Sequence, residues 1–180
     1  GERGVPLTVN VPYGYVKDPE NPKHWLVDPE AAAIVKRIFS MCMEGRGPTQ
    51  IANQLWADKV LTPTAYKLSH GRSTNAPAPE DPYRWDNRAV SLILERREYT
   101  GCTVNFKTYT NSIWDKKRHL NPVENQAIFP DTHERIIDDD VFEKVQEIRS
   151  QRHRMTRTGK SSIFSGMVYC ADCGSKMQYG

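Results

Sequence analysis

Trp85-Asp86-Asn87-Arg88-Ala89-Val90-Ser91-Leu92-Ile93-Leu94-Glu95 is the stretch on which the fold turns. Val90, Ile93 and Leu94 recur at helical spacing, so one side of a helix starting near Asp86 or Asn87 faces a core. Arg88, Ser91 and Glu95 face the other way. A helix that presents Arg, Ser and Asn outward on a small helical core, with a basic hairpin after it, is the skeleton of a helix-turn-helix or winged-helix DNA reader. The preceding helix lies ~30 residues upstream, unlike the short turn of a standard helix-turn-helix.

That preceding helix follows Gly47-Pro48-Thr49, with Ile51, Ala52 and Leu55 inward and Gln50, Asn53 and Gln54 outward. Further upstream, Asp28-Pro29-Glu30 starts a longer helix. Asp28 can cap it, Pro29 suits its first position, and Ile34, Val35, Ile38, Met41 and Cys42 form a core face down to Gly45. The chain opens as a hairpin: Val9, Val11, Tyr13 and Tyr15 alternate, Asp18-Pro19-Glu20-Asn21-Pro22 turns, and Trp25 and Val27 return. After the second helix the chain passes Thr62-Pro63 into a Ser/Pro/Asn-rich stretch, about 69–82, which has no periodicity and is expected to be a mobile loop.

Downstream of the outward-facing helix, Glu98-Tyr99-Thr100-Gly101 leads into a strand with Cys102, Val104 and Phe106. A polar connection carrying Lys107, Lys116, Lys117 and Arg118 follows, and Ala127 to Phe129 return as the partner strand, together a wing. The first domain is expected to span 1–130, and 131–180 to hold a further helix and a second, truncated unit. Asp138, Asp139 and Asp140 cap that helix, whose apolar stripe is Val141, Phe142, Val145 and Ile148. Consecutive carboxylates cannot all face one ion, so capping explains the three aspartates better than metal binding does.

From Arg149 onward the chain is basic, with Arg152, Arg154, Arg157 and Lys160 and no acid between Glu147 and Asp172. Near a helix end such charges suit the macrodipole, but Arg157 and Lys160 lie beyond it, where phosphate contact competes with simple solvation. Cys170-Ala171-Asp172-Cys173-Gly174 then forms one knuckle of a zinc ribbon. Two thiolates on one turn supply half of a tetrahedral site, so a second pair is expected downstream of Gly180, and a redox dithiol is the competing reading of the same spacing.

The composition permits one domain with a real core plus an appendage: 180 residues, 38% hydrophobic, 26% charged and a net charge of +3. No apolar run approaches the ~20 residues of a membrane span and no signal-peptide pattern opens the chain, so the expected setting is cytoplasmic, with Cys42 and Cys102 as reduced core thiols.

Pro12-Tyr13-Gly14-Tyr15, Asp28-Pro29-Glu30-Ala31 with Ile34-Val35 and Ile38-Phe39, Gly47 with Ile51-Ala52 and Leu55, and Thr62-Pro63 come in one order. Trp85, Val90, Ile93-Leu94, Tyr99-Thr100-Gly101, His133-Glu134, Ile136-Ile137, Phe142 with Val145-Gln146, and Ser165-Gly166 before the knuckle continue it. In these residues nearly the whole chain resembles the C-terminal half of the large serine recombinases, the phage integrase and transposon resolvase class. Lys59 departs from that pattern, standing where the family usually has Gly, and Trp56 stands where Asn is common.

The resemblance implies an α+β fold: a small helical core with helix-turn-helix or winged-helix elements and β-hairpins, then a helix and a truncated zinc ribbon. It also implies a DNA-binding portion of a site-specific recombinase that recognises attachment-site double-stranded DNA for integration, excision or transposition. Zinc in the full-length protein and its self-association as dimers or tetramers come with it. The nucleophilic serine of the family precedes this segment, and Ser161, Ser162 and Ser165 lack an evident base, so the chain itself is expected to be non-catalytic. Candidate DNA contacts are Arg84, Asn87, Arg88, Ser91 and Arg96 around the outward-facing helix, and Lys107, Lys116, Lys117 and Arg118 on the hairpin. Arg152, Arg154, Arg157 and Lys160 are candidates on the linker, and Cys170 and Cys173 are the candidate metal ligands. Two other readings compete: a winged-helix transcriptional regulator, and a metal-dependent nuclease using Asp131, His133 and Asp138.

Overall fold

A computed structural model describes Pro6, residues 10–74, 76–110, Trp114 and residues 117–151. Among them β1 (Tyr15–Lys17) and β2 (Trp25–Val27) form an antiparallel pair with Tyr15 opposite Val27. Gly14 turns the chain at φ +102° immediately before β1, so pairing begins at Tyr15. Tyr13 is buried all the same, edge-on to Tyr66 and Trp85.

Two helices follow, α1 (Pro29–Met43) and α2 (Pro48–Ala57), each opening on a proline whose missing N–H would have had no helical partner anyway. Val35, Ile38, Cys42, Ile51 and Leu55 are fully buried, as their spacing required. Gln50 closes the second helix start by accepting the Gly47 amide at 2.9 Å. A third helix, α3 (Pro63–Ser69), stands where a passage into an irregular loop was expected. Thr62 caps it through Oγ1, accepting from the Ala65 amide at 3.3 Å, and Ala65 and Tyr66 fill its inner side. The described residues between it and Trp85 form no helix or strand.

α4 (Asn87–Glu95) packs against α2 and α1, and a short 3-10 turn at Arg97–Thr100 ends on Gly101 at φ +85°. There follows a two-stranded ribbon: β3 (Thr103–Asn105) pairs with β6 (Ala127–Phe129), and β4 (Thr108–Tyr109) with β5 (His119–Leu120), both antiparallel. The pairing of β3 with β6 is the expected one, but the face is reversed. Thr103 and Asn105 point inward at 2% and 3% exposure, while Phe106, held at φ +59°, is turned out. The buried Thr103 hydroxyl is satisfied by the Thr132 hydroxyl at 2.7 Å, which removes the cost of a polar inner face.

α5 (Asp139–Gln151) completes the fold, lying on α1 and α4. Ile136, Ile137, Phe142 and Val145 join the same hydrophobic cluster as Tyr15, Phe39 and Tyr99, so residues on both sides of position 130 share one core. Tyr99 is its centre. Fully buried, it donates its hydroxyl to the Tyr13 carbonyl at 2.7 Å, and its own carbonyl accepts the Ile136 and Ile137 amides at 2.9 and 3.0 Å. From the far side, the Tyr15 hydroxyl donates to the Glu134 carbonyl at 2.8 Å. The result is a mixed fold of helices and small antiparallel strands; no helix among the described residues is long and apolar enough to cross a membrane.

Candidate nucleic-acid interface

The orientation of α4 is set from both ends. Trp85 is buried just before it, its indole N–H donating to the Val60 carbonyl at 3.0 Å, and Asp86 caps the first turn by accepting the Arg88 amide at 3.1 Å. At the other end the Gln146 amide nitrogen of α5 donates to the Leu94 carbonyl at 2.7 Å, pairing an acceptor that the helix leaves free. Val90, Ile93 and Leu94 are thereby driven into the core, and Asn87, Arg88, Leu92 and Glu95 are left exposed, with Ser91 half-buried between them.

The charges on this face are arranged unequally. Glu95 is held by Arg149 at 2.6 Å and the Asp86 carboxylate is engaged in capping, whereas the Arg88 guanidinium has no acidic partner among the described residues. Arg84 is exposed one turn before the helix. Arg96 is half-buried where the backbone leaves the helix for an extended conformation. Beside α4 lies an open cleft of about 560 Å³, walled by Thr49, Asn53 and Trp56 of α2 and by Arg84, Trp85 and Asn87. Trp56 stays half-exposed there because its indole N–H donates to Asp81 at 2.9 Å.

The ribbon candidates are placed differently. Lys107 does not stand free: it is half-buried and ion-paired with Glu98, a carboxylate only 4% exposed. Lys117 and Arg118 are exposed just before β5. Lys116, Arg152, Arg154, Arg157, Lys160, Cys170 and Cys173 lie outside the described residues. The nuclease candidates are not assembled. Both ring nitrogens of His133 are engaged, Nε2 with the Glu98 carbonyl at 2.8 Å and Nδ1 with the Thr132 hydroxyl at 3.0 Å, and Asp131 faces Arg135 at 3.5 Å. Among the described residues no cluster of three metal-ligating side chains occurs.

Sequence reasoning missed Lys67 and Leu92. Lys67 of α3 is half-buried, donates to the Val11 carbonyl at 3.3 Å, and has its ammonium pKa lowered by burial with the Arg96 and Arg72 charges adding to the effect. It could be placed only once α3 was recognised from Thr62-Pro63. Leu92 is 46% exposed on the polar side of α4, where the apolar periodicity gave no reason to look.

α4, packed on α1, α2 and α5, turns toward solvent a face whose arginine has no acidic partner among the described residues. Residues 29–152 match the family model described as Recombinase, and the chain belongs to that family. The resemblance to the large serine recombinases is thereby borne out. "Uncharacterized protein YefB" of Bacillus subtilis (strain 168) is 32% identical over 96 residues, which are 53% of this chain and 32% of that protein. Two solved structures share the fold. A crystal structure of an LSR–DNA complex aligns with a TM-score of 0.53 at 20% identity, covering 96% of this chain and 44% of that one. A structure from work on the sequence requirements of the Listeria innocua prophage attP site aligns with a TM-score of 0.52 at 20% identity, over 96% and 58%. The chain therefore spans about a third of the curated relative and about half of each solved neighbour.

Proposed function

We propose that this chain is the DNA-binding portion of a site-specific serine recombinase, recognising attachment-site duplex DNA for integration, excision or transposition. One observation carries the reading: in a chain of the recombinase family, α4 turns toward solvent an arginine with no acidic partner among the described residues, on a face whose acids are otherwise engaged. A guanidinium free to lie in the major groove can donate two parallel hydrogen bonds to guanine O6 and N7. Arg84 and Arg96 flank it as phosphate contacts, and the ribbon with Lys117 and Arg118 acts as a wing beside the groove. The family match favours this reading over a winged-helix regulator. The chain supplies binding; strand cleavage belongs to a serine nucleophile outside it.

With this reading go a zinc ion in the full-length protein, held in part by Cys170 and Cys173, and self-association into dimers or tetramers. Two thiolates on a C-x-x-C turn fit half of a tetrahedral zinc set.

The test is Arg88→Ala, measured on a duplex selected by this chain from a random pool and on random duplex. The expected loss is about 1 to 3 kcal/mol on the selected duplex and little on random DNA. Equal losses on both would remove α4 from the reading role and transfer attention to the ribbon.

A further inference from the structure

We infer that Leu92 is a specificity-determining residue that reads the 5-methyl group of a thymine, an inference that rests on α4 being the reading helix. Leu92 sits one turn after Arg88, on the side of α4 opposite Val90, and is 46% exposed. It belongs to no core: the buried stripe of the helix is complete without it. Its surroundings suit a polyanion better than an apolar protein surface. Arg88 beside it has no acidic partner among the described residues, and the one carboxylate within a turn downstream, Glu95, is held by Arg149 at 2.6 Å.

A leucine offers only C–H groups, and among the base edges exposed in the major groove the apolar feature is the thymine methyl. Four helical residues rise about 6 Å, while successive base pairs rise about 3.4 Å. The thymine read by Leu92 therefore lies about two base pairs from the guanine read by Arg88. Polar α4 residues supply the hydrogen-bonded part of the recognition, and Leu92 supplies the part that discriminates thymine from cytosine by shape.

The decisive probe is the duplex this chain selects from a random pool, prepared with each thymine replaced in turn by uracil, which keeps the O4 acceptor and the pairing but lacks the methyl. One uracil position should weaken the unaltered chain by about fourfold, the worth of one buried methyl. That position should lie about two base pairs from the site where Arg88→Ala relaxes preference. Leu92→Ala, whose unfolding midpoint should match the parent because the side chain packs in no core, should bind the thymine and uracil duplexes equally. Indifference of the unaltered chain to every uracil, or undiminished uracil sensitivity in Leu92→Ala, overturns the inference. If Arg88→Ala also keeps the full preference for selected over random DNA, the α4 reading falls with it; if Arg88→Ala loses that preference, only the role of Leu92 falls.

Discussion

Gly101 shows why the Tyr99-Thr100-Gly101 motif ends in glycine. A Cβ built there would come 2.8 Å from the His133 carbonyl oxygen, and the backbone stands at φ +85°, where side chains are strained. Gly101→Ala should cost about 2 kcal/mol or more, seen as a lower urea midpoint with an unchanged slope; an unchanged midpoint would show that the Thr132–His133 backbone can yield. His133 itself lends the fold a pH dependence. Burial pushes its imidazole below the ordinary 6.5, although the bond to the Glu98 carbonyl works against it. The folded state then resists a proton that the unfolded chain accepts, so this contribution is complete above about pH 6.5 and lost as pH falls below it. Urea titrations from pH 7.5 to 5 should show stability declining with acid, and His133→Gln should flatten the decline. Tyr99-Thr100-Gly101 and His133-Glu134 were legible as motifs. That they meet around one buried tyrosine was not, because the contact is non-local and leaves no periodic trace.

Among the elements, sequence periodicity located α1, α2, α4 and α5 because each buries a stripe of apolar residues at helical spacing. It missed α3, whose seven residues carry too few apolar positions for a stripe; the only local signal was a threonine cap followed by proline. The pairing of β3 with β6 was legible, but its inward face was not, since the buried Thr103 and Asn105 occupy positions that alternation reserves for Val104 and Phe106. For the candidate interface, Arg88 could be read from the helical wheel, whereas the capture of Lys107 by Glu98 depends on how the ribbon folds back. The departure at Lys59 is visible in the backbone: it follows α2 at φ +55°, a left-handed position that glycine adopts without strain. Lys59→Gly should relieve about 1 kcal/mol of strain and forfeit roughly 0.5 kcal/mol of attraction between the ammonium and the Tyr83 ring, 5.5 Å away. The expected result is a thermal midpoint raised by about 1 to 2 °C; a lowered midpoint would mean that the ring contact outweighs the strain.

At the scale of the molecule, the core needs α5 and the segment that leads into it. Each of Ile136, Ile137, Phe142 and Val145 contributes about 1.5 to 3 kcal/mol on burial, together of the order of the whole stability of a domain. A chain ended at 151 should unfold cooperatively, while one ended at 130 should show no cooperative transition and no protected amides near Tyr99; a cooperative transition in the shorter chain would assign the core to the first four helices alone. The Tyr15–Glu134 link joins residues 119 positions apart. Chain elongates at about 5 to 20 residues per second during synthesis. Some 50 residues separate the end of α4 from Val145, so for roughly 3 to 10 seconds the first four helices are out of the ribosome with their greasy faces uncovered. In that interval the nascent chain depends on holding factors, and its yield in the cell should be set by their supply as much as by the stability of the finished fold.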